Sequence, residues 1–288
     1  MEPVLGKAGA PILVGTDGSP TATAAVRWAA REAMVRRRPL RIVHAFDRVE
    51  PERDGTAEVS AAVRSAQAVA PGVAMSGTVE FGHPGPVLAG LSQEAIMLVV
   101  GTHSGAGPLG STSLRVAMHA ACPVVVVPTA PAAPPSARRI LVGTDASVLS
   151  DPAVGFAFEE ADLRHLPLTA VLTWTAPGRS KPGDMQPLVY NADEVADEER
   201  RLLAESLSGW SATYTDVAVT QRVVHAPAGR TLVRMAHDAD ILIVGARGRG
   251  AVEALLLGSV SRHVLHHAAG PVAVVRSGRR FTRAVRIA

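Results

Sequence analysis

Residues Ile241 to Val244 form an apolar, largely β-branched run that ends at Gly245; behind it stand Ala246, Arg247, Gly248, Arg249 and Gly250. Seven mostly apolar residues follow, and then Gly258, Ser259, Val260 and Ser261 open a helix-like segment. Glycines let a backbone approach a ligand with its N–H groups turned inward, while guanidinium groups and a helix N-terminus both favour phosphate oxygens. The chemistry these residues could do together is to cradle a phosphate. The loop lacks the Gly-Lys-Ser/Thr ending of a P-loop, and its glycines do not follow the order of the dinucleotide fingerprint.

Other candidates for chemistry are fewer. His263 and His267 share one face of a helix at i, i+4 spacing and could clamp a divalent ion, but that helix offers no carboxylate to complete the set. Histidines in the last turns also suit the helix macrodipole, which is the reading taken here. The sole cysteine, Cys122, precedes Pro123 and an apolar run, as a small buried filler does; it allows no intrachain disulfide and fits a reducing compartment. Asp193, Glu194, Asp197, Glu198 and Glu199 form an acidic run that reads as the solvated opening of a helix. No Ser/His/Asp order, Cys/His pair or paired carboxylates suggests a catalytic centre.

The elements that must position the loop come in two copies. Ile12 to Ser19 returns as Ile140 to Ser147, and Glu32-Ala33 as Glu160-Ala161, each 128 positions on. Farther along, Pro84 matches Pro227 and Leu98 to Gly101 matches Leu242 to Gly245, so the second copy holds an insertion of about fifteen residues, placed within Pro177 to Glu194. The proline-rich stretch Pro128 to Ala137 between the copies reads as a linker. Domains over 1–130 and 136–288 follow, a division that suits a chain of 288 residues.

In the first copy strands are expected at Pro11 to Thr16, Leu40 to Ala45, Ala74 to Glu80, Ile96 to Gly101 and Val124 to Val127. Helices are expected at Thr21 to Arg37, Glu58 to Ala70, Pro86 to Glu94 and Ser111 to Ala121. This alternation predicts an α/β fold: two tandem five-stranded parallel-sheet domains of the doubly wound, Rossmann-like kind. Ligands of such sheets sit beyond the carboxyl ends of the strands, where strand order reverses, and both the Gly-Thr-Asp turn after strand one and the glycine loop after strand four lie at such ends.

With 29 basic against 26 acidic residues the formal charge is only +3, so nucleic acid is not an expected partner. The arginine-rich tail, Arg276 to Ala288, reads as a solvated end. The N-terminus has no basic-then-apolar leader and no apolar run is long enough to span a bilayer, so a cytoplasmic protein without a membrane span is expected.

The spacing Gly245, two residues, Gly248, nine residues, Gly258, Ser259 resembles the ATP-binding signature of the universal stress protein family. The resemblance extends over nearly the whole chain as two copies of the family's domain. It implies adenine-nucleotide contacts at Thr144, Asp145, Thr173, Val244, Gly245, Arg247, Gly248, Gly258, Ser259, Val260 and Ser261, with charge supplied by Arg247 or by Arg249. Asp145 would accept from ribose hydroxyls or the adenine amino group, or else only cap the next helix.

The first copy departs from this pattern. Its loop, Gly101 to Ser113, is four residues shorter between its first and last glycines, lacks both arginines, and must use Ser104 or Gly105 as the middle glycine. Asp17, Gly101, Gly110 and Ser111 survive, so the expected first site is empty, AMP-like or dependent on His103, and the second is the stronger. The resemblance thus implies a regulator that binds ATP, with ADP or AMP as alternatives and Mg²⁺ an optional companion. A slow ATPase or phosphate-transferring enzyme and a nucleotide-free scaffold are the alternatives. It also implies pairing of the domains through their last strands, as a pseudo-dimer within one chain, and a homodimer built on that; the protein partner is left open.

Overall fold

The structure, a computed structural model, describes residues 9–47, 55–102, 110–129, 138–175, 191–249 and 257–276. In the first half, apolar runs form β1 (Ile12–Thr16), β2 (Leu40–Phe46), β3 (Met75–Phe81), β4 (Met97–Gly101) and β5 (Val124–Val127). Between them lie α1 (Pro20–Arg36), α2 (Thr56–Gln67), α3 (Pro84–Leu91), followed by a 3-10 turn at Ser92–Glu94, and α4 (Ser111–His119). The second half repeats the plan as β6 (Ile140–Gly143), α5 (Asp151–Arg164), β7 (Leu168–Trp174), α6 (Ala192–Thr213), β8 (Val219–His225), α7 (Ala228–Ala236), β9 (Ile241–Gly245), α8 (Ser259–His267) and β10 (Val272–Val275). The expected elements are all present with ends displaced by a few residues. Thus α2 begins at Thr56 because Gly55, at φ 72°, turns the chain there, and α4 stops at His119 as Ala120 becomes extended ahead of Pro123.

All ten strands join one sheet in the order β3-β2-β1-β4-β5-β10-β9-β6-β7-β8. Within each half every pairing is parallel; the halves meet where β5 and β10 pair antiparallel, Val126 opposite Val272 and Val124 opposite Val274. Both strands consist of four fully buried residues, which is why their sequences are continuous apolar runs and do not alternate. Side chains on one face, such as Ile12, Val14 and Ile42, pack under α1, α2, α5 and α6, and those on the other, such as Leu13, Val43 and Leu98, under α3, α4, α7 and α8. With aromatics only 3% of the chain, the cover is largely alanine and valine, as at Ala25, Ala29, Ala30 and Ala33 of α1. Cys122 is buried within the second of these layers.

Charges also cross the junction. Arg36 and Arg164 occupy equivalent positions on α1 and α5, and each pairs with the glutamate one turn earlier on its own helix, Glu32 or Glu160. Each also pairs with the other helix's glutamate, Arg36 with Glu160 and Arg164 with Glu32, and Arg36 reaches Glu159 besides. The side chains of Glu32 and Glu160 are 3% and 0% exposed, so three carboxylates and two guanidinium groups share a buried site with one excess negative charge. Burial pushes the Glu32 and Glu159 carboxyls above their usual range; Glu160 adds to this, against the pull of Arg36 and Arg164. In such a network the desolvation of the charges offsets much of their mutual attraction, so its net contribution to stability is small while loss of one partner is costly.

Candidate functional site

The halves each have the strand order of a doubly wound sheet, and in the second half the order reverses between β6 and β9. Beyond the carboxyl ends of those two strands lies a cavity of about 530 Å³. Its size falls in the range of small-molecule sites. Thr144, Asp145, Thr173, Val244, Gly245, Arg247, Gly248, Gly258, Ser259, Val260 and Ser261 all line it, together with Arg249.

The adjacency that sequence alone could not establish is made by Asp145. Its Oδ1 accepts from the N–H and the hydroxyl of Ser147, at 3.0 and 2.6 Å, while Oδ2 accepts the backbone N–H of Arg249 in the glycine loop. Burial works to raise this carboxyl, but the hydrogen bonds from Ser147 and Arg249 outweigh it and hold Asp145 below the usual carboxylate range. The aspartate therefore ties the turn after β6 to the loop after β9. Thr144 supports the same turn: its hydroxyl accepts the N–H of Ala146 at 3.0 Å and donates to Ser150 Oγ at 2.9 Å, since that oxygen already donates to Ser147 O.

The glycines are required by space. A Cβ on Gly248 would stand 2.5 Å from Asp145 Oδ2, and one on Gly245 would stand 3.0 Å from the Arg247 carbonyl. Gly258 caps α8 and donates its N–H to Ala246 O at 2.8 Å. The buried Ser261 hydroxyl donates to the carbonyls of Ala246 and Gly258, at 3.1 and 3.0 Å, and so braces the loop from within the helix. Ser259, by contrast, is exposed at the first turn of α8, where backbone N–H groups are unpaired. Arg247, Arg249 and this helix end give one side of the cavity a positive character.

Nine further lining residues were not foreseen, among them the polar or aromatic Ser150, Trp174 and Glu199. Trp174 ends β7 and stacks on His225 with ring centroids 3.9 Å apart. Glu199 belongs to the acidic run expected to be solvated. Its neighbours Asp193, Glu194, Asp197 and Glu198 are exposed, but Glu199 lies four residues before Leu203 and eight before Leu207, the buried residues of α6, and so faces inward with them. A carboxylate in register with that apolar stripe was the available signal.

In the first half, Asp17 is exposed and its Oδ1 accepts the Ser19 N–H at 3.0 Å. A Cβ on Gly101 would meet the Thr21 backbone at 2.7 Å, Gly110 caps α4, and Ser111 opens it. His103, Ser104 and Gly105 lie outside the described residues, as do Gly250, most of the linker, most of the proposed insertion, and the tail after Arg276. On α8, His263 and His267 stack with ring centroids 4.2 Å apart, and the Nδ1 atom of His267 lies 2.8 Å from His263 O. Burial, then His267, lowers the pKa values of His263 and His266 below the usual histidine range. Among the described residues no group of three His, Cys, Asp or Glu side chains is placed to hold a metal ion, and no helix is long and apolar enough to cross a membrane.

The model of the universal stress protein family matches this sequence twice, over residues 10–128 and 136–276. The chain belongs to that family. Among its relatives is the universal stress protein Rv2623 of Mycobacterium tuberculosis, 35% identical over 293 residues that span 92% of this chain and 96% of the relative. The universal stress protein Mb2028c of Mycobacterium bovis is 34% identical over 290 residues, with the same coverage of 92% and 96%. A solved universal stress protein from Archaeoglobus fulgidus superposes with a TM-score of 0.63 over 94% of this chain and 99% of its own, at 19% identity, a likeness of fold.

Proposed function

We propose that this universal stress protein binds an adenine nucleotide, ATP in the first instance and ADP or AMP as alternatives, in the cavity of its second domain, and that occupancy of that site is its regulatory output. The observation that carries the reading is that eleven residues picked by motif, scattered from Thr144 to Ser261, line one cavity of about 530 Å³. The fit is chemical as well as spatial. Arg247, Arg249, the glycine-loop backbone and the start of α8 suit phosphates, whereas Val171, Leu172, Thr173 and Trp174 offer an apolar flank with one hydroxyl, that of Thr173, suited to a base. An accompanying Mg²⁺ would take its oxygens from the phosphates, water and the Ser259 hydroxyl.

A bound nucleotide touching both β6 and the glycine loop favours the arrangement in which the two are joined, by mass action. Residues 1–130 and 136–288 then act as a weaker and a stronger nucleotide domain, and the reading extends to a homodimer of the two-domain chain, checked by sedimentation. The deciding experiment is to purify the protein without added nucleotide, denature it, and identify and count what is released. Adenine nucleotide in a one-to-one ratio with the chain, and lost in Gly248→Ala, is the expected result. No released nucleotide, together with no thermal shift on adding ATP and Mg²⁺, overturns the proposal.

A further inference from the structure

We infer that Glu199 reads the ribose of the bound nucleotide; this rests on the nucleotide reading above and names a specificity determinant within it. Glu199 lines the cavity, and its side chain is only 16% exposed. Its two oxygens have different surroundings. Oε1 lies 3.5 Å from Nη1 of Arg249, whereas Oε2 is buried and has no hydrogen-bond partner among the described residues. A carboxylate oxygen taken out of water and given no donor is costly, and buried polar atoms in folded proteins are almost always partnered. The missing partner is therefore to be sought in what the cavity holds.

The chemistry of a carboxylate narrows that partner. An ionised glutamate only accepts hydrogen bonds, so the ligand must present a donor there. Phosphate oxygens present none at neutral pH and would repel Glu199. Within a nucleotide the donors are the ribose hydroxyls and the amino group of the base. Arg249, which Glu199 approaches, is held at its backbone N–H by Asp145 and follows Gly248 in the loop assigned to phosphate. The part of a nucleotide adjoining its phosphates is the sugar, and the base lies farther off, toward the Thr173 and Trp174 flank. A ribose hydroxyl is the donor within reach. The position of Glu199 on the Leu203 and Leu207 stripe holds it there, because turning it to solvent would require rotating α6 and exposing those two leucines.

The test measures affinities of the full-length protein by titration calorimetry with ATP, 2′-deoxy-ATP, 3′-deoxy-ATP and N6,N6-dimethyl-ATP, for wild type, Glu199→Ala and Glu199→Gln. Wild type is expected to bind ATP about tenfold tighter than at least one deoxy analogue, as befits a hydrogen bond to a charged acceptor. Glu199→Ala should bind ATP and that analogue alike. Glu199→Gln, which keeps the side chain's shape and one acceptor oxygen, should retain partial discrimination and serves as the variant of record if the alanine protein does not fold. Three outcomes overturn the inference: ribose discrimination that survives in both variants, a uniform loss of affinity for every nucleotide, or a loss of discrimination confined to the dimethylated base. Wild type that binds ATP tightly without distinguishing the deoxy analogues overturns the ribose assignment alone. Wild type that binds none of the four overturns the nucleotide reading itself.

Discussion

Asp145 and Gly248 show how closely the site is set by single groups. Substituting Gly248 with alanine puts a methyl carbon where Asp145 Oδ2 now sits against the loop, so either the aspartate or the loop must move. The predicted consequence is a loss of nucleotide affinity of at least about tenfold, or ~1.4 kcal/mol, with little change in melting temperature because the clash falls in a partly exposed loop. Isothermal titration beside a thermal melt checks both parts. Asp145 also makes a pH prediction. Its folded pKa is depressed, so the stability it contributes is complete above its ordinary value of 3.8 and is lost as pH falls through the lower folded value. Asp145→Asn should therefore be less stable than wild type at neutral pH, and the gap should close in strong acid. A gap that stays constant on acidification would mean that the charge of Asp145 is not what holds the loop. The positions of Asp145 and the glycines at strand ends were legible because each belongs to a short local motif, but the hold of Asp145 on the Arg249 N–H was not, because it depends on how two distant loops meet. Glu199 was hidden because its inward direction depends on how α6 packs on the sheet, which a run of acids does not disclose.

At the scale of elements the two copies serve as controls for one another. The turn after β1 uses Gly18 at φ 77°, and its counterpart after β6 uses Ala146 at φ 56°, a left-handed conformation that costs a non-glycine residue roughly 1 kcal/mol. Ala146→Gly should raise stability by about 0.5–1 kcal/mol in denaturant titration, provided the gain exceeds glycine's added unfolded-state entropy. A decrease would show that the alanine methyl packs usefully; it lies among partly buried groups against the core. The charged network between α1 and α5 gives the opposite kind of contrast. Removing Arg36 as Arg36→Met leaves buried carboxylates uncompensated and should cost about 3–5 kcal/mol, whereas Glu159→Gln removes the excess negative charge and should be neutral or stabilising. The raised Glu32 and Glu159 carboxyls fix the sign with pH. Their contribution is fully present below the ordinary value of 4.5 and is lost as pH rises through their folded values, so Glu159→Gln should gain most above that range. The sequence displayed Glu32 and Glu160 as repeat markers. That they face each other was not legible, because it follows from the pairing of domains, whereas the strand and helix order followed directly from apolar runs and glycine stops.

For the whole molecule, the question is what makes two domains into one sheet. The antiparallel pairing of β5 with β10 buries eight mostly valine residues that would otherwise form open, uncharged strand edges. Among the described residues, further ties outside the sheet are the α1–α5 charge network and the Arg276 guanidinium, which donates to the Met118 carbonyl of α4 across the junction. None of these depends on the covalent link between the copies. If the linker segment around residues 130–137 is given a protease site and cut after folding, the halves should therefore remain together in gel filtration and melt as one unit, the linker having supplied only effective concentration. Adding Val125→Asp, which places a charge within the fully buried β5, should make the cut protein separate while the uncut chain stays monodisperse. Halves that separate on cleavage alone would place the cohesion of the molecule in the linker and leave the ten-stranded sheet as a consequence of tethering. Halves that persist through both changes would shift the burden from the strand edges to the buried charges, which Arg36→Met in the cut protein would then expose.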